Sequence, residues 1–247
     1  MGVILIPFSG GLDSTSILYN AMRNKERINI TYIEISNNTV KTPVEVAQCK
    51  KIISLLNNEF SGYNLYFSAS LVFGSNVSSP ELALKQPIIW LAGILYALRG
   101  DETEVRLGFC MNDDAISYVE EIKKIWNSFQ GLYDVKLPEL TFPLMKSKKD
   151  MHYRELPNII FQETYFCESP IDATNGEDSW KDCGECGSCT RSKNDGIFFR
   201  YNRNNDRAET RKSSQLELDL LNQGDLEKAP ELKKFTELKD PTNLEEV

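Results

Sequence analysis

The sequence predicts an α/β protein, a doubly wound parallel five-stranded sheet with crossover helices, ending in a small cysteine-rich knuckle and a charged tail. Three observations carry this expectation. Short apolar or β-branched runs alternate with stretches of helical periodicity, which is the signature of parallel strands joined by crossover helices. A glycine-rich turn follows the first apolar run directly, and Cys183, Cys186 and Cys189 recur at two consecutive metal-ligand spacings.

Taken in order, Val3 to Phe8 reads as the first strand, and Thr15 to Met22 continues from the turn as a helix with Ile17, Leu18 and Ala21 on one face. Ile28 to Ile35 is a β-branched second strand. Val44 to Leu56 has helical spacing at Val46, Ile52, Ile53 and Leu56, with Pro43 in the favoured first turn. Leu65 to Phe67 reads as a short third strand. A loop rich in glycine, serine and asparagine, Ser70 to Ser79, leads into the apolar helix Pro87 to Leu98 and is placed to cover a substrate. Glu104 to Phe109 is the fourth strand, Ile116 to Phe129 a helix, and Leu140 to Leu144 the fifth strand. From about Asn204 the chain is too polar and charged to fold alone, although Leu216, Leu218, Leu220 and Leu221 form one amphipathic piece. The expected division is an α/β domain at 1–160 that carries the glycine-rich turn, the cysteine segment at 161–202, and a flexible tail at 203–247.

A chain of 247 residues with 41% hydrophobic composition can bury one sizeable core. Its formal net charge of -8 argues against an extended basic surface, so free nucleic acid is not an expected partner. No apolar run has the length of a membrane span, and Val3 to Phe8 lacks the flanks of a signal peptide. A cytoplasmic protein with no membrane partner is expected. In a reducing compartment, a tight cysteine cluster reads as a metal site rather than as disulfides.

The turn itself is Ser9-Gly10-Gly11-Leu12-Asp13-Ser14. Two glycines allow positive φ, and the bend can aim successive N–H groups at one point, a nest for an anion. The helix starting near Leu12 adds its unpaired N–H groups and positive dipole end. Ser9, Ser14 and Thr15 contribute hydroxyls, so a phosphate is the natural guest. No Gly-Lys-Ser/Thr follows, which excludes a Walker A loop. Asp13 is read as shaping the loop or helping to hold Mg2+ rather than as a base.

Further candidates lie at predicted strand ends, where open α/β sheets place their ligands. Asn112, Asp113 and Asp114 follow the fourth strand as substrate-binding candidates, with a solvated helix-capping turn as the alternative. Cys110 precedes them at the pocket, while Cys49 belongs to the core. Lys146, Lys148 and Lys149 crowd a helix start where the dipole disfavours cations, which points to a bound anion; Lys149 is the strongest of them. A solvated basic patch is the competing reading. His152, the only histidine, is given no role. Zinc wants a fourth ligand beside Cys183, Cys186 and Cys189, and Cys167 is the nearest upstream cysteine. An iron–sulfur cluster on three cysteines is the rival to Zn2+, and free thiols the plain alternative.

The SGGLDS loop resembles the PP-loop of the ATP pyrophosphatases, which transfer AMP to an oxygen of the substrate and release pyrophosphate. That resemblance implies nucleotide contacts from Phe8, Ser9, Gly10, Gly11, Leu12, Asp13, Ser14 and Thr15. Strand, loop, α/β body and the Cys…CGxCxxC cluster together resemble the QueC family, the 7-cyano-7-deazaguanine synthases, over roughly residues 3 to 197. Glu45-Val46-Ala47, the strand-end Gly108 and Pro143-Leu144 before Lys149 are also similar. The resemblance implies ATP, Mg2+ and Zn2+ as cofactors, Gly108 at the nucleotide, and Ser9, Asp13, Ser14 and Lys149 as the groups serving catalysis. It implies that 7-carboxy-7-deazaguanine is adenylated and joined to ammonia, giving the amide and then the nitrile.

The chain also departs from that pattern. Asn37-Asn38-Thr39-Val40 stands where the family has a segment ending in histidine, Leu84-Lys85-Gln86-Pro87 replaces Pro-Gly-Arg-Asn, and no Tyr-Pro-Asp-Cys-Arg follows Asp114. The second substrates are therefore less constrained than the activation step. One alternative is an enzyme of a phage or antiphage operon that uses another amine, such as a protein N-terminus. A second is an inactive nucleotide-binding adaptor. The expected partners are a deazapurine carboxylate and an amine, with a homodimer and a protein partner at the tail left open.

Overall fold

A computed structural model describes residues 2–35, 41–67, 69–73, 85–111, 113–171 and 180–194. The strands are β1 (Val3–Pro7), β2 (Arg27–Ile35), β3 (Ala69–Phe73), β4 (Glu102–Arg106) and β5 (Glu139–Thr141), in the order β3-β2-β1-β4-β5. All four pairings are parallel. β2, β1, β4 and β5 share one continuous ladder. β3 joins it through the second half of β2 alone, Tyr32 to Ile35, with a shift in register between Tyr32 and Ile33.

Helices α1 (Leu12–Arg23), α2 (Lys41–Glu59), α3 (Lys85–Ala97), α4 (Val119–Phe129), α5 (Lys149–Glu155), α6 (Asn158–Glu163) and α7 (Gly187–Asn194) complete the order. The central strand explains the winding. Ile4 and Ile6 of β1 pack with α1, α2 and α6, whereas Leu5 between them packs with α3, β4 and α4. Alternate residues of one strand thus feed two cores, which requires helices on both faces and accounts for a continuously apolar β1. Gly93 brings α3 against the sheet, since a Cβ there would stand 2.8 Å from the Ile33 side chain.

Several boundaries move. Leu65 to Phe67 is not a strand: the Asn57 side chain accepts from the Leu65 N–H and donates to its carbonyl, both at 2.9 Å, so neither backbone group is left for a ladder. The third strand lies further on, at β3, and takes the first residues of the expected loop. The fourth strand starts two residues earlier and ends at Arg106, and the fifth closes at Thr141. After Asp113 the chain first makes a 3-10 turn, Asp114–Tyr118, and only then α4. Cys49 is buried in the core, as expected.

The cysteine segment belongs to the same compact unit as the α/β body; residues 195–247, with the leucine-rich piece of the tail, lie outside the described residues. Asn37 to Val40 also lie outside them. No described helix is long and apolar enough to cross a membrane.

Candidate active site

Strand order reverses at β1, which has β2 on one side and β4 on the other, so a crevice opens where the chain leaves β1 and β4. The Phe8 N–H still bonds the Thr31 carbonyl at 2.8 Å; the chain then breaks away at Ser9. Gly10 turns with φ +71°, but Gly11 is extended at φ -71°. Only one of the two glycines uses the left-handed region. Gly11 is tight for another reason, because a Cβ there would meet the Tyr165 carbonyl oxygen at 3.3 Å. The Tyr165 N–H in turn donates to the Gly10 carbonyl at 2.7 Å, tying the segment after α6 to the turn.

Gly11 caps α1 without a side-chain hydrogen bond, so the first-turn N–H groups are directed at the crevice with the positive end of the helix dipole. The Ser14 hydroxyl bridges the turn, within 3.4 Å of the Ser9 hydroxyl and N–H and donating to the Gly11 carbonyl at 3.2 Å. Ser9, Gly11, Leu12, Asp13 and Ser14 line a cavity of about 380 Å³. Two residues of the loop stand apart from the rest. Thr15 is fully buried with its N–H bonded to Gly11, and Gly10 faces Cys49; neither lines the cavity.

Beside the loop, Gly108 lets β4's exit press on α1. A Cβ at Gly108 would stand 3.1 Å from the Asp13 carbonyl carbon and 3.2 Å from the Ser14 nitrogen. Next to it lies a closed polar cluster. The Lys149 ammonium sits 3.2 Å from Asp13 Oδ2 and 2.9 Å from Asp113 Oδ1. The Cys110 thiol donates to Asp13 Oδ1 at 3.1 Å, and the Cys110 N–H donates to Asp113 Oδ2 at 2.7 Å. Burial raises the Asp13 carboxyl above its usual range despite Lys149, and Asp113 adds to the rise. Burial works against the Lys149 charge, yet Asp13 and Asp113 outweigh it and hold the ammonium protonated. Lys149 thus answers to an anion at the helix start, and that anion is a carboxylate pair. Lys146 and Lys148 are exposed.

This cluster does not fit a protein-held Mg2+ as it stands. Each of the four carboxylate oxygens already has a partner, and a thiol is not a ligand for so hard a cation. Asp13 therefore shapes the loop and positions Lys149. Asp113 is brought into the site, Asn112 lies outside the described residues, and Asp114 opens the 3-10 turn. His152 is buried, with Nε2 2.8 Å from the Ser147 hydroxyl.

The cavity is also lined by groups that were not predicted for the site. Lys41 of α2 lies 3.4 Å from Glu45 and 2.7 Å from Glu168, and the Tyr32 hydroxyl donates to Glu45 at 2.9 Å. The available signals were the i,i+4 pairing of Lys41 with Glu45 and the position of Glu168 directly after Cys167.

Cys167, Cys183, Cys186 and Cys189 converge, with all four sulfurs within 4.8 Å of one another. Cys183 Sγ lies 3.6 Å from Cys167 Sγ and 3.9 Å from Cys189 Sγ. Four thiolates around one tetrahedral ion at a metal–sulfur distance near 2.3 Å stand about 3.8 Å apart, so the set fits a single ion. Burial opposes ionisation of Cys183, but the N–H groups of Glu185 and Cys186 outweigh it and bring its thiol down to about 7. Gly184, at φ +76°, makes the turn that frees them.

No family model matches the chain, and no curated protein matches it. Among solved structures, it is similar to the U34-tRNA thiolase NcsA from Methanococcus maripaludis with its [4Fe-4S] cluster. The identity is 17%, covering 82% of this chain and 67% of that one, at a TM-score of 0.41.

Proposed function

We propose that the chain is an adenylating enzyme of the PP-loop type that activates the carboxylate of 7-carboxy-7-deazaguanine with ATP and transfers it to ammonia, in the manner of the QueC family. The observation that supports this best is the uncapped start of α1 at the point where strand order reverses, with Lys149 facing the same crevice. The substrate itself is carried by the sequence resemblance.

In this reading a carboxylate oxygen attacks the α-phosphorus, the bond from that phosphorus to the bridging oxygen breaks, and pyrophosphate leaves on the loop. Ammonia then attacks the acyl carbon, loses a proton and expels AMP, giving the amide. A second ATP activates the amide oxygen, and loss of AMP and protons leaves the nitrile. Negative charge builds on the α-phosphoryl group and on pyrophosphate. The loop N–H groups, the Ser9 and Ser14 hydroxyls and the Lys149 ammonium are fixed in place to receive it. No side chain serves as nucleophile. Any Mg2+ would belong to the nucleotide substrate rather than to the protein, because the Asp13 and Asp113 oxygens are already engaged by Lys149 and Cys110. The four cysteines hold Zn2+ as a structural ion, since their spacing suits one metal atom better than a cluster that spreads its thiolates over several irons.

The test is pyrophosphate release with ATP, 7-carboxy-7-deazaguanine and ammonia, followed by mass spectrometry of the product. Release that depends on the carboxylate, with amide or nitrile formed, is expected. Bound ATP without such release overturns the reading and leaves the adaptor. An activated base that accumulates until another amine is supplied assigns a different acceptor.

A further inference from the structure

The cavity takes its lining from both cores. Neighbouring residues of β2 show the division, since Tyr32 packs with α1 and α2 whereas Ile33 packs with α3 and β4, and both line the cavity. The charged groups of the lining, Asp113 apart, stand on α1, α2, α5 and the cysteine segment. Ile33, Trp90, Leu107, Phe109 and Ala115, which pack with the core on the α3 side, form an uncharged wall. The two regions meet at Gly108, between Leu107 and Phe109, whose missing Cβ leaves room for the first turn of α1. A seat for an anion therefore borders an apolar wall, which suits a ligand with charge on one part and an aromatic ring on another.

Trp90 reaches this wall through the winding of the sheet. The strands are all parallel, so α3, crossing from β3 to β4, runs back against them and its first turns lie at their carboxyl edge. Trp90 precedes Gly93 by three residues and shares its side of the helix, and Gly93 is seated on the Ile33 side chain, which fixes the rotation of α3. The Trp90 ring lies 6.1 Å from that of Phe109 at 41°, and Phe109 stacks on Phe142 at 5.5 Å and 21°. Phe109 and Phe142 are buried, but Trp90 is half-buried. The chain has two other tryptophans, Trp126 and Trp180, each 2% exposed within a core. Those two fill space; Trp90 is the outermost ring of an aromatic row that keeps part of its surface at the cavity.

We propose that Trp90 is the stacking residue of the substrate site, which holds a purine-type ring, that of ATP or of the deazapurine, against the apolar wall beside the anion seat of α1. The proposal rests on the adenylation reading above, in which both ligands carry such a ring. Stacking is tolerant of ring substituents because it uses the π face, so Trp90 sets the plane of the ring and leaves the choice of base to edge contacts. A ring held in one plane also limits how the reacting groups attached to it can turn, which is a contribution to orientation.

Intrinsic fluorescence reads this contact directly, because a purine-type ring stacked on an indole quenches its emission. ATP, 7-carboxy-7-deazaguanine and tripolyphosphate, which has the phosphates but no ring, are titrated by fluorescence and calorimetry into the wild-type protein, Trp90→Phe and Trp90→Leu. A ring-bearing ligand is expected to quench the wild-type protein, and tripolyphosphate is not. Trp90→Phe should lose most of that quenching yet bind within about twofold of the wild type, since a phenyl ring still stacks. Trp90→Leu should bind the quenching ligand about threefold to tenfold more weakly, the range for an offset aromatic pair, with its affinity for tripolyphosphate unchanged. Quenching by ATP alone seats adenine on Trp90 and quenching by the carboxylate alone seats the deazapurine; either supports the assignment. Unaltered affinity for both ring-bearing ligands in Trp90→Leu overturns it, as does a parallel loss of tripolyphosphate, which would make Trp90 a support of the whole cavity. Wild-type protein that binds neither ATP nor 7-carboxy-7-deazaguanine overturns the adenylation reading itself, and this inference with it, before any variant is made.

Discussion

Gly108 is a position where a single methyl group decides whether the site exists. Its Cβ would press on the backbone of Asp13 and Ser14, which cannot rotate away as a side chain can. Gly108→Ala should therefore cost about 1–3 kcal/mol of stability in urea unfolding, the usual range for overpacking, and weaken ATP binding by displacing the first turn of α1. Unchanged ATP affinity in a destabilised variant would place the nucleotide elsewhere. Asp13→Ala acts differently, by freeing Lys149 from one partner and leaving the Cys110 thiol without its acceptor. Turnover of ATP should fall by about 10²–10³, as for loss of a fixed electrostatic group, while the fold persists. Near wild-type turnover would remove Asp13 from the machinery. At this scale the loop was legible in sequence because its glycines, serines and aspartate are contiguous. The directions of Gly10 and Thr15 were not, since Cys49 and the core determine which way they face. Lys41 and Glu168 are 127 positions apart and meet only through the fold, so no local pattern marked them as one site.

The elements follow from periodicity where it is strong and from side-chain hydrogen bonding where it is weak. β1, α1 and β2 appear close to the expected bounds because their apolar residues leave a single face or pair of faces to bury. Leu65 to Phe67 had strand composition, but the Asn57 amide took its backbone groups, a competition that no pattern of hydrophobicity registers. The sheet is also joined by charge. Arg106 on β4 makes two bonds to Glu26, at 2.7 and 2.9 Å, and two to Glu104, both at 2.9 Å, while the Thr141 hydroxyl of β5 donates to Glu104 at 2.7 Å. Burial raises the Glu104 carboxyl, but Arg106 and Thr141 outweigh it and hold it below the usual carboxylate range. Glu102 is depressed likewise, burial being outweighed by Asn29 and the N–H groups of Arg99 and Gly100. A depressed carboxyl stabilises the fold fully above its unfolded value and loses that contribution as pH falls through the folded one. The contribution of Glu102 and Glu104 should accordingly be constant above about pH 5 and be lost on further acidification, against the opposite trend of the raised Asp13 carboxyl. Glu104→Gln should lower the urea midpoint at neutral pH and flatten its acid slope. A slope unchanged by that substitution would assign the acid sensitivity to other carboxylates.

For the whole molecule, the cysteine knuckle and the cavity are one construction. Cys189 lies in α7 between Ser188 and Arg191, which line the cavity, and Glu168 follows Cys167 directly. Val44 of α2 packs with Cys167 and Cys189, so the ligands are also seated against the helix that carries Lys41 and Glu45. The sequence made the metal-ligand spacing plain but gave no reason to connect it with substrate binding. An ion held by four thiolates supplies free energy of folding to the segment it organises, because the unfolded chain has no such site. Elemental analysis of freshly purified protein should find one zinc per chain. Cys186→Ser, which also removes the sulfur that accepts the Glu168 N–H, should lose the ion and lower the melting temperature. Chelation of the wild-type protein should do the same. Affinity for the deazapurine should fall with the ion, since Glu168 and residues of α7 line the cavity, whereas ATP affinity should fall less, because the first turn of α1 is also held by the exit of β4 at Gly108. Iron with sulfide in place of zinc would reject the single-ion reading. Equal loss of both affinities would show that the metal supports the body as a whole and not the cysteine side of the cavity lining alone.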